Sequence, residues 1–262
     1  MKSKKAKNIL LFVFSSLVLG LYVYKNITIQ NTLSTSFVFP APKLASQNQK
    51  CDLLETLEYV DYKQSDWEVN NKFGIYIYAE NKDFFELAQT LVNSNGGDWG
   101  YALVPFNVND RDFGKWNRAF EQMRNKHLIP IIQLWAIDPD DYYDQTKDAA
   151  IFLNQFIWPI KPRYISAYNE MNDAKFWGGE VNPEQYAEVL DATIQLFKAV
   201  NDNFFIMNGA FNVSAPTDSS LGTLDSFTYM RRMDAKVPGI FSGLDGWASH
   251  PYPQPNFSGN PD

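Results

Sequence analysis

Cysteine and histidine are nearly missing from these 262 residues: Cys51 stands alone, and His127 and His250 are the two imidazoles. A lone thiol cannot close an intramolecular disulfide or build a cysteine metal cluster. The two histidines lack metal-ligand spacing and no His-Glu-x-x-His run occurs, which argues against a metal enzyme. No serine lies in a Gly-x-Ser-x-Gly elbow, so an esterase of that kind is excluded. Repeats and low-complexity tracts are also lacking. Positive charge is scarce: the net charge is −7, and Lys2, Lys4, Lys5 and Lys7 supply part of the cationic side. The body without them is more acidic still. It repels polyanions, so no nucleic acid partner is expected, and a neutral substrate fits better.

What is present is apolar and aromatic, at 45% and 16% of the chain, ample for one sizeable core. The first block of it lies at Ile9–Tyr24, uncharged and preceded by the lysine cluster. That pattern predicts a hydrophobic helix within residues 1–25, either a cleaved signal peptide or a membrane signal-anchor. Its basic end would stay in the cytoplasm and the remainder would be extracytoplasmic. Residues 26–65 are rich in Asn, Gln, Ser and Thr, with Pro40 and Pro42, and read as a polar tether. Cys51 falls in this stretch and is read as incidental.

Residues 66–262 alternate between two textures. Short apolar runs occur at Phe73–Ala79, Trp99–Phe106, Ile129–Trp135, Tyr164–Tyr168, Phe204–Ala210 and Gly246–Ser249. They predict strands buried on both faces. Amphipathic stripes lie between them, such as Phe84, Leu87, Ala88, Leu91 and Val92, then Trp116, Ala119, Phe120 and Met123, then Tyr186, Val189, Leu190, Ile194 and Phe197. These predict helices. Asp112 is a cap for the second, while Asn182, Pro183 and Gln185 form a capping-box start for the third. Weaker helices are expected near Ala149–Phe156 and Leu224–Met233.

Strand and helix in alternation imply an α/β fold with a parallel sheet. No Gly-rich phosphate loop follows the first strand, where Tyr78-Ala79-Glu80-Asn81 stands, so a nucleotide-binding sheet loses its main support. Polar residues gather just after the strands: Glu80, Asn107, Asp138, Asn169, Glu170, Asn208 and His250. A TIM (β/α)8 barrel builds its active site there. About six βα units are present, and residues 66–262 fall short of the ~250 that such barrels typically need, so an incomplete barrel is expected. A true six-stranded sheet is the alternative.

The run Tyr164-Ile165-Ser166-Ala167-Tyr168-Asn169-Glu170 is an apolar strand, the fourth, that ends abruptly in Asn-Glu. A glutamate so placed sits at the barrel mouth beneath apolar walls, a setting that suits a general acid. On the sixth strand stands His250-Pro251-Tyr252. Together these features resemble glycoside hydrolase clan A, the cellulase-like barrels. The resemblance implies that Glu170 is the acid/base, that Asn169 holds a sugar hydroxyl, and that His250 and Tyr252 line the site beside the nucleophile. It spans residues 73–252. The chain departs from that pattern at Met171, where many members carry Pro. It departs also at Val104-Pro105-Phe106-Asn107 and Gln133-Leu134-Trp135, where many carry Arg on the second strand and His or Asn closing the third.

The resemblance implies a retaining O-glycosyl hydrolase acting on a β-linked glycan by double displacement. Its nucleophile Glu would end a seventh strand, beyond Asp262. Retention needs two carboxyls about 5–5.5 Å apart, so residues 1–262 alone are expected to be inactive. Sugar rings present apolar faces, and Trp135 and Trp177 are the expected stacking platforms. No cofactor and no metal are implied; the partners are an oligo- or polysaccharide and, through the N-terminal helix, the membrane. A non-catalytic carbohydrate-binding barrel and a transglycosylase remain as alternatives.

Overall fold

The computed structural model describes residues 71–252 apart from 79 and 95, together with the backbone of two short stretches near the N-terminus. Those stretches are strands, β1 (Ile9–Phe12) and β2 (Leu21–Lys25), paired antiparallel. The hydrophobic helix expected within residues 1–25 is thus not confirmed, and the two described stretches are extended. Leu-Tyr-Val-Tyr is a β-favouring sequence, and an open sheet edge offers it hydrogen-bond partners. No described helix is long and apolar enough to cross a membrane. The tether over 26–65, including Cys51, lies outside the described residues.

The body begins with β3 (Gly74–Tyr76) and α1 (Lys82–Val92), followed by β4 (Gly100–Asn107) and α2 (Phe113–Asn125). Next come β5 (Leu128–Trp135) and α3 (Tyr142–Asn154), then β6 (Arg163–Asn169) and α4 (Pro183–Val200). Finally come β7 (Phe204–Asn212), α5 (Ser226–Lys236), β8 (Gly246–Trp247) and β9 (Ser249–His250). Strands β3 to β8 pair side by side in chain order, all parallel, and β2 flanks β8 antiparallel. The result is a parallel α/β half-barrel of six strands in a TIM-barrel-like arrangement.

Two packed layers hold it together. Tyr101, Leu103, Ile129, Ile131 and Met207 pack into an inner cluster that contains no helix residue. Ala102, Val104, Ile132, Ile165 and Ile206, their neighbours in sequence, face outward onto Trp116, Phe120, Tyr186, Leu190 and Phe197 of the helices. This period-2 alternation between two apolar layers explains why the strands read as continuous apolar runs.

The helix starts carry the expected chemistry. Asp112 and Asn182 accept hydrogen bonds from the Lys115 and Gln185 amides. The capping box does not close, however, because the Gln185 side chain accepts instead from the Trp177 indole at 3.1 Å. Helix α3 starts well before Ala149, at Tyr142, and α5 is capped by Asp225. The first strand is shorter than its apolar run, and the sixth is broken at Ala248 into β8 and β9.

Candidate active site

The regular alternation fails at one place, and the site is built on that failure. In β6, Tyr164 faces the inner cluster while Ile165 and Ala167 face the helices. By period 2, Tyr168 should point inward. It is packed outward instead, 5.5 Å from the Trp177 ring. Its φ is +75°, and that of Glu170 is +43°. Each left-handed residue costs roughly 1 kcal/mol or more. Strand β7 slips in step: Phe205 and Met207 lie inside, and then Ala210 lies inside and Phe211 outside. The register runs Ala167↔Asn208 and resumes at Asn169↔Ala210, skipping Tyr168 and Gly209.

A one-residue slip exchanges the faces of everything that follows. It turns Asn169 to the inner side, where its Oδ1 accepts from Gln133 Nε2 of β5 at 3.2 Å. The Glu170 amide rejoins the ladder by donating to the Ala210 carbonyl at 2.9 Å. The slip also lets β9 pair with β7 as Asn212↔His250, which brings the sixth strand beside Glu170.

Glu170 is only 4% exposed. Its Oε1 accepts two hydrogen bonds, from His250 Nδ1 and from the Tyr252 hydroxyl, each 2.7 Å long. An ionised carboxylate can only accept, so Nδ1 is assigned the proton. His250 is fully buried, and its Nε2 has no partner among the described residues. Burial, and then the charge of Glu170, push the Tyr252 hydroxyl well above the ordinary phenol range, so it remains a donor. Both donors converge on Oε1. Oε2 accepts nothing from the described residues and is the oxygen left for a ligand.

The loop after Glu170 is fixed by a residue the sequence reading missed. Asn172 is fully buried. Its Nδ2 donates to the carbonyls of Asn212 at 2.9 Å and Leu224 at 3.0 Å, and its Oδ1 accepts from the Asn212 amide at 3.1 Å. Asn208 does similar work across the break at Ala248, donating to its carbonyl at 2.8 Å and accepting from its amide at 2.9 Å. Asn208 had been noted only as a polar residue after a strand. Neither role is visible in composition or spacing.

The other expected residues divide. Trp135 ends β5 with half of its surface exposed. It lines a cleft of about 420 Å³ with Glu80, Asn107, Asn109, Asp110 and Lys115. Lys115 pairs with Asp110 and lies 3.6 Å from Glu80. Burial alone would raise the Asp110 carboxyl, but bonds from Lys115, the Asp112 amide and the Trp116 indole outweigh it and hold the carboxyl below its usual range. Trp177 is 2% exposed, between Tyr168 and Tyr186. It is a packing residue, and the platform expected there is not brought to the mouth. Its indole had no reason in the sequence to turn inward; the outward swing of Tyr168 gives it a partner. His127 lies at the opposite end of the strands, bonded to Asp98 at 2.7 Å and stacked on Trp99.

No family model matches the chain, and no curated protein matches it. Solved structures do. A monomeric beta-xylosidase from Caulobacter crescentus CB15 is similar at TM-score 0.39 and 13% identity, over 63% of this chain and 48% of that one. A beta-glucosidase from Trichoderma harzianum is similar at TM-score 0.35 and 14% identity, over 53% of this chain and 38% of that one. A monomeric dihydrodipicolinate synthase variant is similar at TM-score 0.30 and 12% identity, over 52% of this chain and 51% of that one. The chain thus spans less than two thirds of the length of each. Likenesses this distant carry no argument about chemistry, and the functional reading rests on the site itself.

Proposed function

We propose that this chain carries the acid/base half of a retaining O-glycosyl hydrolase acting on a β-linked glycan. The observation that supports the reading is the Glu170 carboxyl itself, buried at the strand mouth with Oε1 held by His250 and Tyr252 and Oε2 open. In the first step a proton on Oε2 passes to the leaving glycosidic oxygen while a second carboxylate attacks the anomeric carbon. In the second step Oε2 takes a proton from water, which then displaces that carboxylate. His250 and Tyr252 fix the orientation of the carboxyl through both steps without moving protons themselves. Asn169, oriented by Gln133, binds a ring hydroxyl. Trp135 offers its exposed face to a neighbouring sugar ring. The attacking carboxylate comes from outside residues 71–252.

The test uses the full-length protein and aryl and alkyl β-glycosides. An acid is needed most when the leaving group is poor. Glu170→Gln is expected to lower kcat/KM, which reports the first step alone, by about 10²–10⁴ on alkyl glycosides, the ordinary worth of general acid catalysis, and to change it far less with a dinitrophenyl leaving group. An equal loss on both substrates, or no loss on either, removes Glu170 from the proton-transfer step. Retention of affinity for oligosaccharides without any turnover in wild type would favour a binding barrel.

A further inference from the structure

We infer that Tyr186, a residue of α4 that does not line the mouth, is the positioning residue for Glu170, acting through its hydroxyl wedged between β6 and β7. In a parallel ladder the register Ala167↔Asn208 calls next for a bond from the Gly209 amide to the Ala167 carbonyl. The Tyr186 hydroxyl bridges the same two groups. It accepts from the Gly209 amide at 2.9 Å and donates to the Ala167 carbonyl at 3.0 Å. Tyr186 is fully buried, its ring centroid 5.2 Å from that of Trp177 and 6.2 Å from that of Tyr229.

The wedge sits where the alternation slips, and it accounts for the slip. With Gly209 and Ala167 satisfied by the hydroxyl, both strands skip one residue together without orphaning a buried backbone group. Asn169 and Glu170 then emerge on the mouth side. Without the hydroxyl, the direct ladder bond is the cheapest way to satisfy the same two groups. A ladder closed on that bond alone would keep the regular alternation, returning Tyr168 to the inner face and rotating Asn169 toward the helices. Gly209 is the complementary requirement. A Cβ there would lie 2.5 Å from the Ala167 carbonyl oxygen and 2.6 Å from Met171 Sδ, so no side chain can share the space. Tyr186 touches no substrate in this scheme and exerts its effect through the backbone.

The inference rests on the acid/base reading of Glu170, yet it can be tested apart from it. Only two histidines exist, so imidazole-labelled protein gives two sets of ring signals, and His127→Gln assigns them. The His250 Nδ1 proton reports its bond to Glu170, and Glu170→Gln supplies the reference for that bond altered. Tyr186→Phe is expected to move the His250 signal toward that reference while the far-ultraviolet circular dichroism stays unchanged. In the full-length enzyme the same variant is expected to lower kcat on the order of 10- to 100-fold with KM changed less than about twofold, as misplacement of a reacting group does. A His250 signal identical to wild type refutes the inference, as does a loss confined to thermal stability. If Tyr186→Phe does not fold, 3,5-difluorotyrosine at the same position weakens the hydroxyl as an acceptor at nearly constant shape. An unmoved His250 signal there overturns the inference equally. Should wild type cleave no glycoside, the acid/base reading fails, while the His250 signal still decides the role of Tyr186.

Discussion

Asn172 gives the sharpest stability expectation because its side chain makes three bonds, all to backbone groups of other segments. Replacing it with alanine removes all three at a fully buried position. At a net worth of about 1 kcal/mol per bond the loss is about 3 kcal/mol, with the Asn212 amide and the Leu224 carbonyl losing their Asn172 partner while the Asn212 carbonyl keeps its bond from the Ala215 amide. For a domain of this size that lowers Tm by roughly 6–12 °C. The aspartate variant separates this account from simple loss of packing. A carboxyl keeps the acceptor for the Asn212 amide but sets a second oxygen against the carbonyls of Asn212 and Leu224. Asn172→Asp should therefore lose more than Asn172→Ala at pH 7, about 3–5 kcal/mol, as an unpaired buried charge does. Burial raises the folded-state pKa of that new carboxyl above its unfolded value. The penalty thus applies at high pH and fades as the pH falls through the raised value, where the protonated acid regains one donor. Urea unfolding of the two variants at pH 7 and pH 5 measures both effects. An alanine variant within about 0.5 kcal/mol of wild type, or an aspartate variant more stable than the alanine one at pH 7, refutes the reasoning.

The two tryptophans expected to bind sugar should now part company. Trp177→Ala is expected to cost about 3–5 kcal/mol in unfolding, as a large buried ring does, and Trp135→Ala to stay within about 0.5 kcal/mol while weakening oligosaccharide binding about tenfold; calorimetric titration and thermal melts compare them. Asp225 caps α5 and is held down to about 2, first by the Thr217 hydroxyl and then by the Thr228 amide. Its folded pKa lies below its unfolded one, so its contribution is complete above about pH 4 and is lost as the pH falls toward 2. Melts of Asp225→Asn should accordingly show a flatter pH dependence than wild type between those limits.

Much of the fold was legible because burial on two faces leaves a plain mark. Runs such as Trp99–Phe106 and Ile129–Trp135 are apolar at nearly every position, and the strands found there match within a residue. Helices with a clear stripe and a cap, such as α2 and α4, were equally plain. The N-terminal run was not. Sixteen apolar residues, Ile9–Tyr24, suit a membrane helix, yet Leu-Tyr-Val-Tyr also suits an edge strand, and local sequence does not say which partner is at hand. Glu170, Asn169, His250 and Tyr252 could be singled out as candidates because they stand at strand ends, and the structure brings Glu170, His250 and Tyr252 into contact. The outward turn of Tyr168 could not, since it depends on a hydroxyl eighteen positions later and a missing Cβ at Gly209. Trp177 was misassigned for the same reason, because its partner is the ring that the slip turns outward.

The buried polar side chains near the mouth share one physical role. Each lies where backbone pairing between neighbouring segments lapses, and each supplies what the lapse would leave unpaired. Tyr186 fills the gap between β6 and β7, Asn208 the gap at Ala248, and Asn172 the gap between the loop after Glu170 and the end of β7. A regular ladder would need none of them, but a regular ladder would also aim Tyr168 rather than Asn169 into the mouth. Irregular backbone is what places the glutamate and the His-Pro-Tyr segment within reach of each other, and orphaned backbone groups in a dry interior would cost about 1–3 kcal/mol each. The polar residues are thus the condition for the distorted strands, and the distorted strands are the condition for the site. It follows that sequences able to keep Glu170 and His250 in contact must keep a donor–acceptor pair at positions 172, 186 and 208, even where these residues meet no ligand.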